Sequence, residues 1–119
     1  MPLVIVRCGK KITKADQVTL GKNLPDIVAL ALTVPSEPKA RLSADEVEVR
    51  FTSHGPRDVN VRQLDILVFA THSRGRAKNL KARGKIIRGE IHRRMPDITR
   101  RANSGSVWVR LARGEWDEL

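Results

Sequence analysis

Two strand–helix–strand patterns follow one another along this chain, and that repetition constrains its fold more than any other feature. Residues 3–8 are β-rich and apolar apart from Arg7, with Val4, Ile5 and Val6 at the centre, and read as a buried strand. Residues 46–52 alternate, with Val47, Val49 and Phe51 on one face and Glu48, Arg50 and Thr52 on the other, which is the pattern of a half-buried strand. Residues 65–71 are again continuously apolar through Ile66, Leu67, Val68, Phe69 and Ala70, and Val107, Val109 and Leu111 alternate with Trp108, Arg110 and Ala112. The first strands of the two patterns are 63 residues apart, from residue 2 to residue 65, and the second strands 60 apart, from Val47 to Val107. A near-constant shift over several elements points to an internal duplication.

Parallel strands need a crossover, and here each pair has a helical stretch between its members. A single domain over 1–119 is expected, with a first β-α-β unit at 2–62 and a second at 63–119. The class is α/β (α+β), in the ferredoxin-like order β-α-β-β-α-β, giving a four-stranded sheet with two helices on one face. Aromatic residues make up only 3% of the chain, so another subunit is expected to cover the other face.

Local signals refine this outline. Thr13 with Asp16 three residues on has the form of a capping box. Val18, Leu24, Ile27, Val28, Ala31 and Leu32 then give a helical stripe, with a kink or break expected at Pro25. Val59 and Val61 suggest a short edge strand. A helix is expected over 77–94, with Leu80, Gly84, Ile87, Ile91 and Met95 on one face and Lys78, Lys81, Lys85, Arg88 and Arg93 on the other. Pro96 is expected to stop it.

Composition limits the classes of function. The hydrophobic fraction of 40% is that of a globular chain, and no apolar run is long enough to span a bilayer. One cysteine, Cys8, permits no internal disulfide, and the start of the chain lacks a secretory lead, so a cytoplasmic location is expected. The net charge of +10 predicts anionic partners, either nucleic acid or small carboxylates. A basic nucleic-acid-binding module is the alternative reading. Against it stand the absence of Tyr and two Phe residues at positions that read as buried.

Two motifs can carry chemistry. Removal of Met1 leaves Pro2 as a secondary amine at the head of a buried strand. An α-amino group titrates near 8, and partial burial beside arginines lowers that value towards the range of a general base. In Ser73-Arg74-Gly75-Arg76, two guanidinium groups at a helix start can hold a carboxylate, with Ser73 beside them. Cys8 reads as an inert buried thiol. His54, His72 and His92 lack metal-ligand spacing and read as solvated, so no metal is expected. Trp108 lies on the less buried sheet face.

Together, Met1-Pro2 before a strand, the repeat near sixty residues and the arginine turn resemble the tautomerase superfamily. The stretch from Thr71 to Lys81 is similar to malonate semialdehyde decarboxylase and cis-3-chloroacrylic acid dehalogenase. The resemblance implies Pro2 as the catalytic group, Arg74 and Arg76 as substrate-binding residues, no cofactor and a homotrimer. Asp45 matches an aspartate of the decarboxylase across an insertion, and Trp116 a late tryptophan. Lys10 stands near an arginine of the family, and Trp108 or Glu48 near another. The dehalogenase's histidine falls on Val28 and its acidic residue near Arg113, with Glu115 close by. What remains is proton transfer on a small carboxylate-bearing keto-enol substrate, a tautomerase or isomerase activity. A decarboxylase or hydratase/dehalogenase is the alternative within the superfamily.

Overall fold

The computed structural model describes residues 2–113. Its elements are β1 (Leu3–Cys8), α1 (Lys14–Leu32), β2 (Glu48–Ser53), β3 (Leu64–Thr71), α2 (Arg74–Lys78), α3 (Leu80–Arg94), α4 (Pro96–Ala102) and β4 (Gly105–Ala112). The strands form one sheet in the order β2-β1-β3-β4. Within each unit the strands are parallel neighbours, and the two units meet where β1 and β3 run antiparallel, with Leu3 opposite Phe69. The fold class is the expected one, and it gathers each unit's strand starts at opposite ends of the sheet.

One face of the sheet is the core. Val4, Val6, Cys8, Ile66, Val68 and Ala70 point into it, against Leu20, Leu24, Ile27, Val28, Leu32, Ile87 and Ile91 from the helices. Among the described residues, no helix covers the opposite face. Leu3, Ile5, Leu67 and Phe69 form a half-buried apolar stripe there, and Trp108 is 65% exposed beside it. Phe69 therefore lies on the open face, where continuous apolarity along β3 hid its direction, since both faces of a central strand read alike.

The capping box forms as expected. The Thr13 hydroxyl accepts from Asp16 N at 3.1 Å, and the Asp16 carboxylate accepts from Thr13 N at 2.9 Å. Pro25 does not interrupt α1, which runs unbroken to Leu32. An interior proline costs about 3 kcal/mol. Burying Leu20, Leu24, Ile27, Val28 and Leu32 contributes about 1.5–3 kcal/mol apiece for the larger side chains, so packing wins. No strand forms at Val59 and Val61: Asn60 between them has φ of 60°, which breaks the extended alternation, and Val59 is 78% exposed. The expected single helix over 77–94 starts earlier and is divided at Asn79, whose φ and ψ are −135° and 39°. Pro96 ends α3 but also opens α4 from its first position, where its missing N–H is no loss.

Candidate functional site

Strand register brings most of the expected residues to one end of the sheet. Pro2 is buried at the head of β1, and its carbonyl accepts from Glu48 N at 3.0 Å, which ties it to the start of β2. Because β3 runs antiparallel to β1, the end of β3 and the turn into α2 arrive at the same place. Because β4 is parallel to β3, its end arrives there too, with Thr71 opposite Ala112.

The turn into α2 holds three candidates in three different states. The Ser73 hydroxyl accepts from Arg76 N at 3.1 Å, so it serves as the helix cap. Arg74 is exposed. Arg76 is 1% exposed, the largest of the fully buried side chains. Its Nε donates to Leu32 O at 2.9 Å, Nη1 to Thr71 O and Thr71 Oγ1 at 3.0 Å each, and Nη2 to Ala40 O at 3.3 Å. Four of the five N–H donors of a guanidinium are thus spent on the protein. Burial, and then the nearby Arg83, hold the Arg76 pKa below its ordinary value, against the pull of Glu37.

These contacts explain why the turn sits where it does. α1 has no basic residue in its last turn. Arg76 supplies a cation there, and Arg83 a second, with Nη1 donating to Ala31 O at 2.8 Å and Thr33 O at 3.0 Å. Positive charge at a helix C-terminus satisfies free carbonyls and offsets the helix dipole. Glu37 accepts from Gly75 N at 3.0 Å, and a side chain at Gly75 would strike Glu37 and Val34. The backbone N–H groups of Gly75 and Arg76 at the start of α2 are therefore already partnered.

The remaining candidates are dispersed. Asp45 is exposed in a 3-10 turn, Ala44–Glu46, that leads into β2 just before the bond to Pro2, and it accepts from the Ser43 hydroxyl. Lys10 follows β1 at the opposite end of the sheet. Trp108 lies mid-strand, opposite Leu67 on the open face. Glu115 and Trp116 fall outside the described residues. Cys8 is 2% exposed, and burial, followed by the Asp16 charge, pushes its thiol pKa up, so it is a poor nucleophile. His54, expected to be solvated, has a side chain only 8% exposed, with Nε2 at 2.6 Å from Arg62 O. A cavity of about 320 Å³, lined in part by Leu64, Arg88, His92, Asn103 and Ser106, lies at the end of the sheet away from Pro2.

Neither a family model nor a curated protein matches the sequence. Solved structures do match the fold. A fused 4-OT described as an asymmetric trimer superposes with a TM-score of 0.64, at 10% identity, over 93% of this chain and 86% of that one. Malonate semialdehyde decarboxylase does so with a TM-score of 0.62, at 14% identity, over 97% of this chain and 88% of that one. This is the tautomerase-superfamily fold. A macrophage migration inhibitory factor-like protein from Entamoeba histolytica shares it, with a TM-score of 0.60 at 9% identity over 98% of this chain and 95% of that one. In this chain, strand register places Pro2, Ser73, Arg74 and Arg76 towards the same end of the sheet, the head of β1. No described helix is long and apolar enough to cross a membrane.

Proposed function

We propose that this protein is a cofactor-independent tautomerase whose general base is the amine of Pro2, freed by removal of Met1. The observation that carries this reading is the convergence of the buried head of β1 with the arginine turn that opens α2. Pro2 takes a proton from the carbon beside a substrate carbonyl and returns it to the other site. The exposed guanidinium of Arg74 pairs with the substrate carboxylate. Arg76 holds the turn in place and adds positive charge beneath it, which favours the enolate as its charge develops. No metal or organic cofactor enters this scheme.

A homotrimer belongs to the same proposal. The apolar stripe of Leu3, Ile5, Leu67 and Phe69, with Trp108 beside it, needs a cover. The fused 4-OT of the same fold is described as a trimer, and a neighbouring subunit supplies both the cover and a wall for the pocket around Pro2.

The test joins two measurements on one preparation. Intact mass reports whether Met1 is removed, and turnover of phenylenolpyruvate reports tautomerase activity. The expected result is a chain lacking Met1 that converts the enol. A chain that retains Met1, or a processed chain without turnover, overturns the reading.

A further inference from the structure

His72 lies at this end of the sheet, and its chemistry is not used by the proposed scheme. Its backbone N donates to Ala112 O at 2.9 Å, so it prolongs the pairing of β3 with β4 by one residue. Continued register sets Pro2 opposite Ala70, two residues before His72. Strand geometry then separates Pro2 and His72 by about 7 Å along the strand and about 5 Å across it. Alternation places both on the same face: Val4 and Val6 follow Pro2 into the core side, and Val68 and Ala70 precede His72 on it. Arg74 begins α2 two residues further on.

The tautomer of His72 follows from its partner. Arg113 Nη2 lies 3.3 Å from His72 Nε2. A guanidinium has donors and no acceptor, so this contact requires Nε2 to accept, which assigns the ring proton to Nδ1. Among the described residues no hydrogen bond is formed by Nδ1. The half-buried ring thus has one N–H without a partner among the described residues, on the sheet face that Pro2 shares.

We propose that His72, held by Arg113, donates the hydrogen bond from Nδ1–H that receives the substrate's carbonyl oxygen as it becomes an enolate. This inference rests on the reading of Pro2 as base. When Pro2 N takes the proton from carbon, a C–H bond breaks and an N–H bond forms. The electron pair moves into the new C=C bond, and the carbonyl π pair moves to oxygen. Nδ1–H stabilises that oxygen without giving up its proton, so the imidazole ends the step as it began. Transfer of that proton from the Pro2 ammonium to the enolate oxygen gives the enol and frees the amine, and ketonisation of an enol runs the same two transfers in reverse, from O–H to Pro2 N and from Pro2 N to carbon. His72 is then a catalytic residue, and Arg113 a positioning residue that fixes its tautomer.

The full-length chain is assayed with phenylenolpyruvate as His72→Leu, His72→Asn and Pro2→Ala variants. Loss of one preorganised enolate donor is expected to lower kcat about 10²–10³-fold in His72→Leu, with KM little changed. His72→Asn sets an amide N–H close to the Nδ1 position, so it is expected to recover a large part of that loss. Unchanged kcat in His72→Leu, beside an inactive Pro2→Ala, overturns the role of His72 and leaves that of Pro2. An inactive wild-type chain overturns the reading of Pro2 and this inference with it, whereas in an active one ¹⁵N chemical shifts of the imidazole test the premise directly: the Nδ1–H tautomer is expected, and the Nε2–H tautomer overturns the inference.

Discussion

The only two buried charged residues among those described are Asp16 and Arg76, and they hold the same position in the two halves of the molecule. Each is the third residue of the first helix of its unit, three after a hydroxyl cap, Thr13 in one and Ser73 in the other. Their partners differ in kind. Asp16 is an anion with a side-chain partner, accepting from Arg101 Nη1 at 2.8 Å and Nη2 at 3.0 Å, and from Thr13 N. Arg76 is a cation bonded mainly to main-chain carbonyls. A duplicated framework therefore delivers two equivalent corners, one at each end of the sheet. The Asp16 corner is closed by ion pairing and by Gln63, whose side chain accepts from Lys11 N at 3.0 Å. The Arg76 corner is the one that adjoins Pro2.

The largest expected effect tests which corner does chemistry. Asp65 sits near the start of β3, as Pro2 does before β1, but inside the chain, where it has no free amine. Pro2→Ala is expected to lower turnover of phenylenolpyruvate about 10²–10⁴-fold, and Asp65→Ala to leave it unchanged. Equal losses in both would end the functional distinction between the two corners.

Next comes the division within the arginine turn. Replacing Arg76 with Leu strands the carbonyls of Leu32, Thr71 and Ala40, and each buried unsatisfied acceptor costs about 1–3 kcal/mol. Urea denaturation is expected to show a loss on the order of 3 kcal/mol or more. Arg74→Leu is expected to change stability by no more than about 0.5 kcal/mol while raising KM. The reverse assignment, with Arg76→Leu fully stable, would return Arg76 to direct substrate binding.

A smaller effect belongs to the other corner and depends on pH. Burial raises the Asp16 pKa, but the Thr13 backbone N–H and Arg101 outweigh it, so the net shift is downward. A folded-state value below the unfolded value of about 3.9 means that the carboxylate's contribution is complete above pH 4 or so. It is lost as pH falls through the lower folded value. Asp16→Asn is therefore expected to destabilise the protein at neutral pH by about 1–3 kcal/mol, with a shallower loss of stability below pH 4. An identical acid profile in the variant would remove Asp16 from the account. Last, Trp108→Ser is expected to weaken assembly with little effect on folding, checked by light scattering at decreasing concentration. An unaltered oligomer would place the interface elsewhere.

What the sequence revealed, and what it hid, follows the same divide between side chain and main chain. Thr13 with Asp16 was legible because a capping box joins residues at fixed spacing. The parallel pairing within each unit was legible because duplication and crossover connections leave few arrangements. Arg76 was read as an exposed clamp because its true partners, the carbonyls of Leu32 and Ala40, lie 44 and 36 residues away and leave no side-chain signature. The break at Asn79 was masked by the steady apolar stripe from Leu80 to Met95. His72 looked like a solvated histidine because its partner, Arg113, is 41 residues away.

The anchoring of Arg76 has an implication for how this protein can drift. Main-chain oxygen is the same atom whatever residue carries it, so positions 32 and 40 are free to exchange side chains of suitable size without loosening the guanidinium. The guanidinium itself has no such freedom, because no substitution at a neighbouring position can create or cancel a carbonyl. Lineages of this chain should thus vary around a fixed arginine, and a damaged one should find no second-site suppressor among the residues that grip it.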